Sequence, residues 1–343
     1  MNKRITLADI AARTGFSAST VSMVLNNRPG SRIPEATAER VRAIAEELGY
    51  APDRTARGLR TGRSEALGFI SDEVTITRYA SAMVRGILDA AEACNHAVLM
   101  AETDNHPRRL ENAIRLMRTR HIDGIIVGLM RARQVDLPAG LGGLPVIIVN
   151  GKVDGYHAVL PDEYQAGLDA VNYLVAHGHR RIAFIGRAAV HLDPRVSWTI
   201  GRRISGIDTG MANAGLSFVH EVEGSDWEPE LGYRGAAEIF DRGDITAIIT
   251  ANDRIAFGVY GVAQARGLSI PDDMSVLSFD DEQLASYVRP QVTAMRLPYL
   301  DMGQIAAELL FKQIAGEWCP TDSAEETLVR MPLVERSSVA DLG

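Results

Sequence analysis

TLADIAARTGFSASTVSMVLN, Thr6 to Asn26, carries two short helical patterns parted by a glycine. Thr6 is placed to cap a first helix running to Thr14, with Leu7, Ile10 and Ala11 forming one apolar face at i, i+3, i+4. Gly15 supplies a tight turn. Ser17 is placed to cap a second helix, Ala18 to Leu25, whose Val21, Val24 and Leu25 face inward. Ala11 is small enough for the two helices to cross closely. The pattern is a helix-turn-helix, and the expectation is that its second helix lies in the major groove of DNA.

Working outward, a third helix is expected from Pro34 to Leu48, with Val41, Ile44, Ala45 and Leu48 as its buried stripe and Gly49 as its end. The Arg-rich stretch Pro52 to Arg60 follows, with Leu59 as its single large apolar residue. Too short for a stable isolated helix, it is expected to fold on DNA, where phosphates neutralise Arg54 and Arg57 and Leu59 wedges into the minor groove. Charge agrees with this division. Of 343 residues with net charge −8, those through Ser64 hold eleven Lys+Arg against six Asp+Glu, and the rest hold 25 against 38. A basic head on an acidic body points to a polyanionic partner for the head alone.

From Glu65 onward short apolar runs alternate with amphipathic helices, an α/β pattern. Ala66–Ile70, Ala97–Ala101, Gly124–Gly128 and Val146–Val149 read as buried parallel strands, with helices such as Ala80–Ala93 and Pro107–Arg120 between them. Ile182–Ile185, Phe218–Val222, Ala247–Thr250 and Ser275–Phe279 form a second set. Two such halves imply two lobes with a ligand cleft at the carboxyl ends of their strands. Asp72, Asn150, Asn252, Asp253, Asp280 and Asp281 fall at or just beyond those ends, and Arg203 and Trp227 lie in the second half. Carboxylate, amide and guanidinium groups beside an aromatic ring suit a polyhydroxylated ligand. Asp and Asn after a strand are also common helix caps, the better reading for Asp253 and Asp281.

Thr6 to Ala11, Gly15-Phe16-Ser17, Thr20-Val21-Ser22, Val24-Leu25-Asn26 and Glu47 to Pro52 resemble the DNA-binding head of the lactose/galactose repressor family. His177 to Gly186, Arg203 to Gly206, Thr250 to Asp253 and Ser278 to Asp281 are similar to signature segments of that family's periplasmic-binding-protein-like body. The resemblance implies a transcriptional regulator, a repressor, whose head binds palindromic operator DNA and whose body binds a small polar effector, with a sugar expected. It implies DNA contacts by Thr6, Ser17, Ala18, Ser19, Thr20, Ser22, Met23, Asn26, Arg54, Arg57 and Leu59, and effector contacts by Asp72, Tyr79, Asn150, Arg203, Trp227, Asn252 and Asp280. Ala18 and Ser19 stand at the principal base-reading positions, and Met23 stands where many members have Arg, so the likeness carries the architecture and not an operator sequence. A homodimer, or a tetramer, is implied because one head reads few base pairs; helices Ala80–Ala93 and Ile255–Arg266 are candidate interface elements.

The domain expectation is a helix-turn-helix head at 1–51, a hinge helix and linker at 52–64 and a body at 65–343. Within the body the first lobe takes about 65–163 plus 298–326 and the second about 164–292 plus 327–336. No cofactor or metal is expected, since Cys94 and Cys319 offer no ligand spacing and the His177/His179 pair reads as a turn. The Gly140–Gly143 run is followed by a strand rather than a helix and is no phosphate loop; with no nucleophile elbow or HExxH either, an enzyme is disfavoured. No apolar run nears the roughly 18 residues of a membrane span and the N-terminal stretch lacks a signal-type apolar core, so a cytoplasmic location is expected. The rival readings are a solute-binding protein and a purine-responsive regulator of the same architecture.

Overall fold

The computed structural model describes residues 5–25, 33–50, 63–75, 77, 81–138, 141–319 and 326–343. Contacts divide the chain into two units, Met1–Ser64 and Glu65–Gly343.

In the first unit α1 spans Leu7–Thr14, α2 Ala18–Leu25 and α3 Glu35–Glu47. Thr6 and Asp9 cap α1 reciprocally: the Asp9 amide donates to Thr6 Oγ1, and the Thr6 amide donates to the Asp9 carboxylate at 2.8 Å. Gly15 takes the left-handed turn at φ 79°, a conformation that a Cβ would strain. The Thr20 amide then donates to Ser17 Oγ at 3.0 Å and starts α2. Ile10, Val21, Val24, Ala38, Val41 and Ala45 form the core. Each large aliphatic buried there contributes about 1.5–3 kcal/mol, so one truncation removes much of what a unit this small possesses.

The second unit contains two six-stranded sheets of matching order. Across the first run Glu326–Val329, His157–Pro161, Val146–Val149, Gly124–Gly128, Ala66–Ser71 and Ala97–Glu102, all parallel. Across the second run Leu333–Val334, Thr293–Arg296, Ser275–Asp280, Ala247–Thr250, Ile182–Arg187 and His220–Glu223, parallel except for the Leu333–Val334 edge. Central strands such as Val146–Val149 are buried throughout because helices cover both faces. Helices meet closely at glycines. A Cβ on Gly206 would lie 2.0 Å from the Tyr164 carbonyl oxygen, and one on Gly86 2.1 Å from that of Leu300.

Several expectations are corrected. Ala97–Glu102 is an edge strand with Leu99 and Met100 exposed, not a buried one. The expected Phe218–Val222 strand begins at His220, because Phe218 leaves the ladder to stack on Phe184 with ring centroids 5.7 Å apart. The lobe boundaries also move. Glu326–Val329 pairs with His157–Pro161 and packs Val329 into the first lobe's core, so residues 327–329 do not belong to the second lobe. Thr293–Arg296 joins the second sheet. The chain therefore passes between lobes after Pro161, after Arg296 and after Val329.

Candidate functional site

On α2, Ser17, Ala18 and Ser19 are exposed, while Thr20, Ser22 and Met23 are half-buried. The helix presents its N-terminal turn to solvent, the end whose free amides and dipole favour phosphate. Thr6 and Ser17 double as caps, so their hydroxyls are already partnered within the head. Asn26, Arg54, Arg57 and Leu59, and with them the hinge helix, lie outside the described residues.

In the body, residues just past the strand ends of both sheets line shared cavities. One of about 210 Å³ is bounded by Met130 and Asn150 of the first lobe and by Arg203, Trp227 and Asp280 of the second. A second of about 510 Å³ shares Arg131 with it and adds Glu73 from the first lobe and Asn252, Arg254 and Glu282 from the second. Asp280 and Asn150 both sit at positive φ, 90° and 54°, a region that Asp and Asn tolerate better than most residues.

Arg203 is the centre of this floor. It is 1% exposed, yet it donates from Nε and Nη2 to Glu163 at 2.6 and 2.7 Å, from Nη1 to the Ala251 carbonyl at 2.7 Å and from Nη2 to Asp280 at 3.1 Å. Burial opposes the guanidinium charge, but Glu163 and Asp280 outweigh it and hold Arg203 firmly charged. Burial pushes both carboxyls above their ordinary range against the pull of that same guanidinium. One cation between buried Glu163 and half-buried Asp280 is a preorganised polar floor whose geometry is set before any ligand arrives.

Trp227 stands beside it. Its indole N–H donates to the Gly186 carbonyl at 2.9 Å, and its ring face lies 5.8 Å from the Arg203 guanidinium carbon. A Cβ at Gly186 would meet Ala251 Cβ at 2.5 Å and the indole nitrogen at 3.3 Å, so glycine there seats the ring.

Not every expected contact is free to bind. Asn252 is committed at both ends, accepting from the Ile255 amide as helix cap and donating to the Trp227 carbonyl. It acts as a brace for Trp227, the capping reading carried to its conclusion. Asn150 donates to the Leu129 carbonyl at 2.8 Å. Asp72 accepts from the Met130 and Glu73 amides and from Arg133, and it lines a separate first-lobe cavity rather than the one around Arg203. Tyr79 lies outside the described residues. Asp253 and Asp281 behave as structural groups: Asp253 accepts from the Glu282 amide, and Asp281 pairs with Arg296 and Arg336. His179 clamps the C-terminal segment, bonded to Thr246 and to the Ala340 carbonyl.

Glu163 and His191 escape sequence reasoning. Glu163 follows the cap Asp162 and reads as an ordinary first-turn acid, and His191 lies on a four-residue helical turn, Ala189–Leu192, too short to show a periodicity.

Residues 6–53 match the family described as bacterial regulatory proteins, lacI family, and residues 171–339 match the periplasmic binding protein-like domain. The crystal structure of a LacI-family transcriptional regulator from Rhizobium etli is 31% identical, with a TM-score of 0.70, over 81% of this chain and 100% of that one. This chain belongs to the LacI family. Among curated relatives, catabolite control protein A of Priestia megaterium is 28% identical over 96% of both chains. The ribose operon repressor of Escherichia coli K12 is 27% identical over 97% of this chain and 99% of its own.

As a LacI-family member the chain is a DNA-binding transcriptional regulator controlled by a small-molecule effector. The family is one of regulatory proteins rather than of enzymes. Among the described residues, no helix is long and apolar enough to cross a membrane.

Proposed function

We propose that this LacI-family regulator is a cytoplasmic repressor that binds a sugar between its two lobes and changes its operator affinity in response. The observation that carries this reading is the convergence of Arg203, Asp280 and Trp227 on one interlobe cavity. Charged and polar groups are fixed on one side and an aromatic face on the other, the combination that hydroxyls and a sugar's C–H face require. The relation to a ribose operon repressor supports the same class. Asp72, Asn150 and Asn252 act in this reading as positioning residues. Tyr79, Arg54, Arg57, Asn26 and Leu59 are assigned their roles on sequence grounds alone.

The head, bounded at about residue 51, would contact DNA through Ser17, Ala18, Ser19, Thr20, Ser22 and Met23, with Thr6 at the start of α1. The working form is a homodimer. Leu88 on the helix Ser81–Ala93 and Leu99 and Met100 on the neighbouring edge strand are exposed large apolar side chains that a second copy would cover. A thermal-shift screen of sugars and purines tests the effector class, because a ligand bound to the folded state raises the melting temperature by mass action. Stabilisation by a sugar and not by hypoxanthine or guanine is expected; the reverse would make it a purine-responsive regulator.

A further inference from the structure

The loop 188–199 leaves the second lobe's strand Ile182–Arg187 and reaches across to the first lobe before entering the helix Ile200–Asn213. It is pinned there. The Gln134 amide donates to the Pro194 carbonyl at 2.8 Å, the Trp198 amide donates to the Ala132 carbonyl at 2.5 Å, and Arg195 pairs with Asp136 at 3.4 Å. Between its two ends a short turn of helix, Ala189–Leu192, puts His191 on the wall of both interlobe cavities. The imidazole meets the Trp227 ring edge-on, with centroids 4.6 Å apart.

The polar side chains around it are largely spent on protein partners. Arg203, Asn150, Asn252 and the Trp227 indole each hold bonds described above, and Arg254 is paired with Glu228 at 2.6 Å. Arg131 and Asp226 lack partners among the described residues, but they are exposed groups. His191 is half-buried, and among the described residues neither ring nitrogen has a hydrogen-bond partner; Nδ1 is also shut away from solvent. Nδ1 therefore stays beyond a ligand's reach, and Nε2 is the nitrogen with which the ring would meet one. Burial and then the nearby Arg203 charge lower its pKa, so the ring is neutral at pH 7. With Nδ1 closed off, a neutral ring offers Nε2 as either an N–H donor or a lone-pair acceptor, and a hydroxyl, which both donates and accepts, suits either tautomer.

We propose that His191 is a specificity-determining contact for the effector, binding a hydroxyl at the rim of a sugar whose C–H face rests on Trp227. This rests on the sugar reading above.

The test uses the full chain as wild type, His191→Ala and His191→Gln, with D-ribose, D-glucose, D-galactose and cellobiose as probes. Thermal shift selects the probe that stabilises wild type most, and a tryptophan-fluorescence titration measures its Kd for all three proteins. His191→Ala is expected to raise Kd about tenfold, the loss of one hydrogen bond, and His191→Gln to stay within about threefold of wild type because its amide also donates and accepts. A His191→Ala Kd within about twofold of wild type would overturn the assignment. Equal weakening by both variants would also overturn it, since a structural role is not rescued by an amide. Failure of every probe to stabilise wild type is a different result: it removes the sugar reading, and this proposal with it.

Discussion

The two lobes of the body share one strand order but differ in where they keep their charge. The second lobe buries Glu163, Arg203 and Asp253 almost completely, whereas among the described residues the first lobe buries only Asp72 to that degree. The second lobe is thus a fixed polar floor, held by the Arg203 network. The first lobe contributes Glu73, the exposed Arg131 and Asn150 around it. The lesson is that the same topology can serve as receptor on one side and cover on the other, depending on which sheet ends carry braced ionic groups.

The sharpest way to break this contrast is Arg203→Met, which leaves buried Glu163 and half-buried Asp280 without their cation. A loss of about 3–5 kcal/mol of body stability is expected, read by chemical denaturation. Asp72→Asn, with its amide donors and Arg133 still near the surface, should cost far less; equal losses would remove the distinction between the lobes.

Next comes packing that the lobes have in common. Gly206→Ala in the second lobe and Gly86→Ala in the first each drive a methyl against backbone and should each cost about 1–3 kcal/mol. A thermal melt of both variants checks this, and a silent Gly86→Ala would mean that the first lobe's helices yield where the second lobe's do not.

Two smaller effects have opposite pH dependence. Burial, with Asp280 adding to it, raises the Asp253 pKa well above its ordinary range. The folded state then favours the protonated acid, so wild-type stability falls as pH rises from the ordinary carboxylate range toward the folded pKa. Asp253→Asn should therefore stabilise at pH 7, by about 1 kcal/mol, and lose its advantage in acid.

Glu326 behaves in the reverse way. Burial would raise its pKa, but hydrogen bonds from Arg202 and Trp198 and the charges of Arg202 and Lys152 lower it. It joins the lobes, since Trp198 and Arg202 come from the second and Glu326 and Lys152 from the first. Its contribution is present above the ordinary carboxylate range and lost as pH falls through the depressed pKa. Glu326→Gln should lower the melting temperature by about 1–3 °C at pH 7 and by nothing measurable in strong acid. Thermal melts of both variants across pH check the two signs together.

Much of the fold was legible because its signals are local. Thr6, Gly15 and Ser17 mark the ends of α1 and α2, and runs such as Gly124–Gly128 form a strand with the bounds their composition implies. His157–Pro161, Thr293–Arg296 and Leu333–Val334 were not legible. The first opens with His and ends with Pro, and the other two are too short for alternation, so pairing partners alone make them strands.

At the site, Arg203, Trp227 and Asp280 stood out by type and place. Their division of labour did not. Whether an Asn after a strand binds ligand or braces a loop depends on what lies across from it, and for Asn252 that is the Trp227 carbonyl, 25 residues away. Glu163 likewise acquires its role only when the helix Ile200–Asn213 sets Arg203 against it.

The most direct test of the account is a gel shift of genomic fragments with wild type and Trp227→Ala, each with and without the stabilising sugar. Both proteins are expected to retard the same fragments in the absence of sugar, with affinity falling steeply as salt rises, and sugar is expected to change retardation by wild type but not by Trp227→Ala. No retarded fragment, or an unchanged sugar response in the variant, would contradict it.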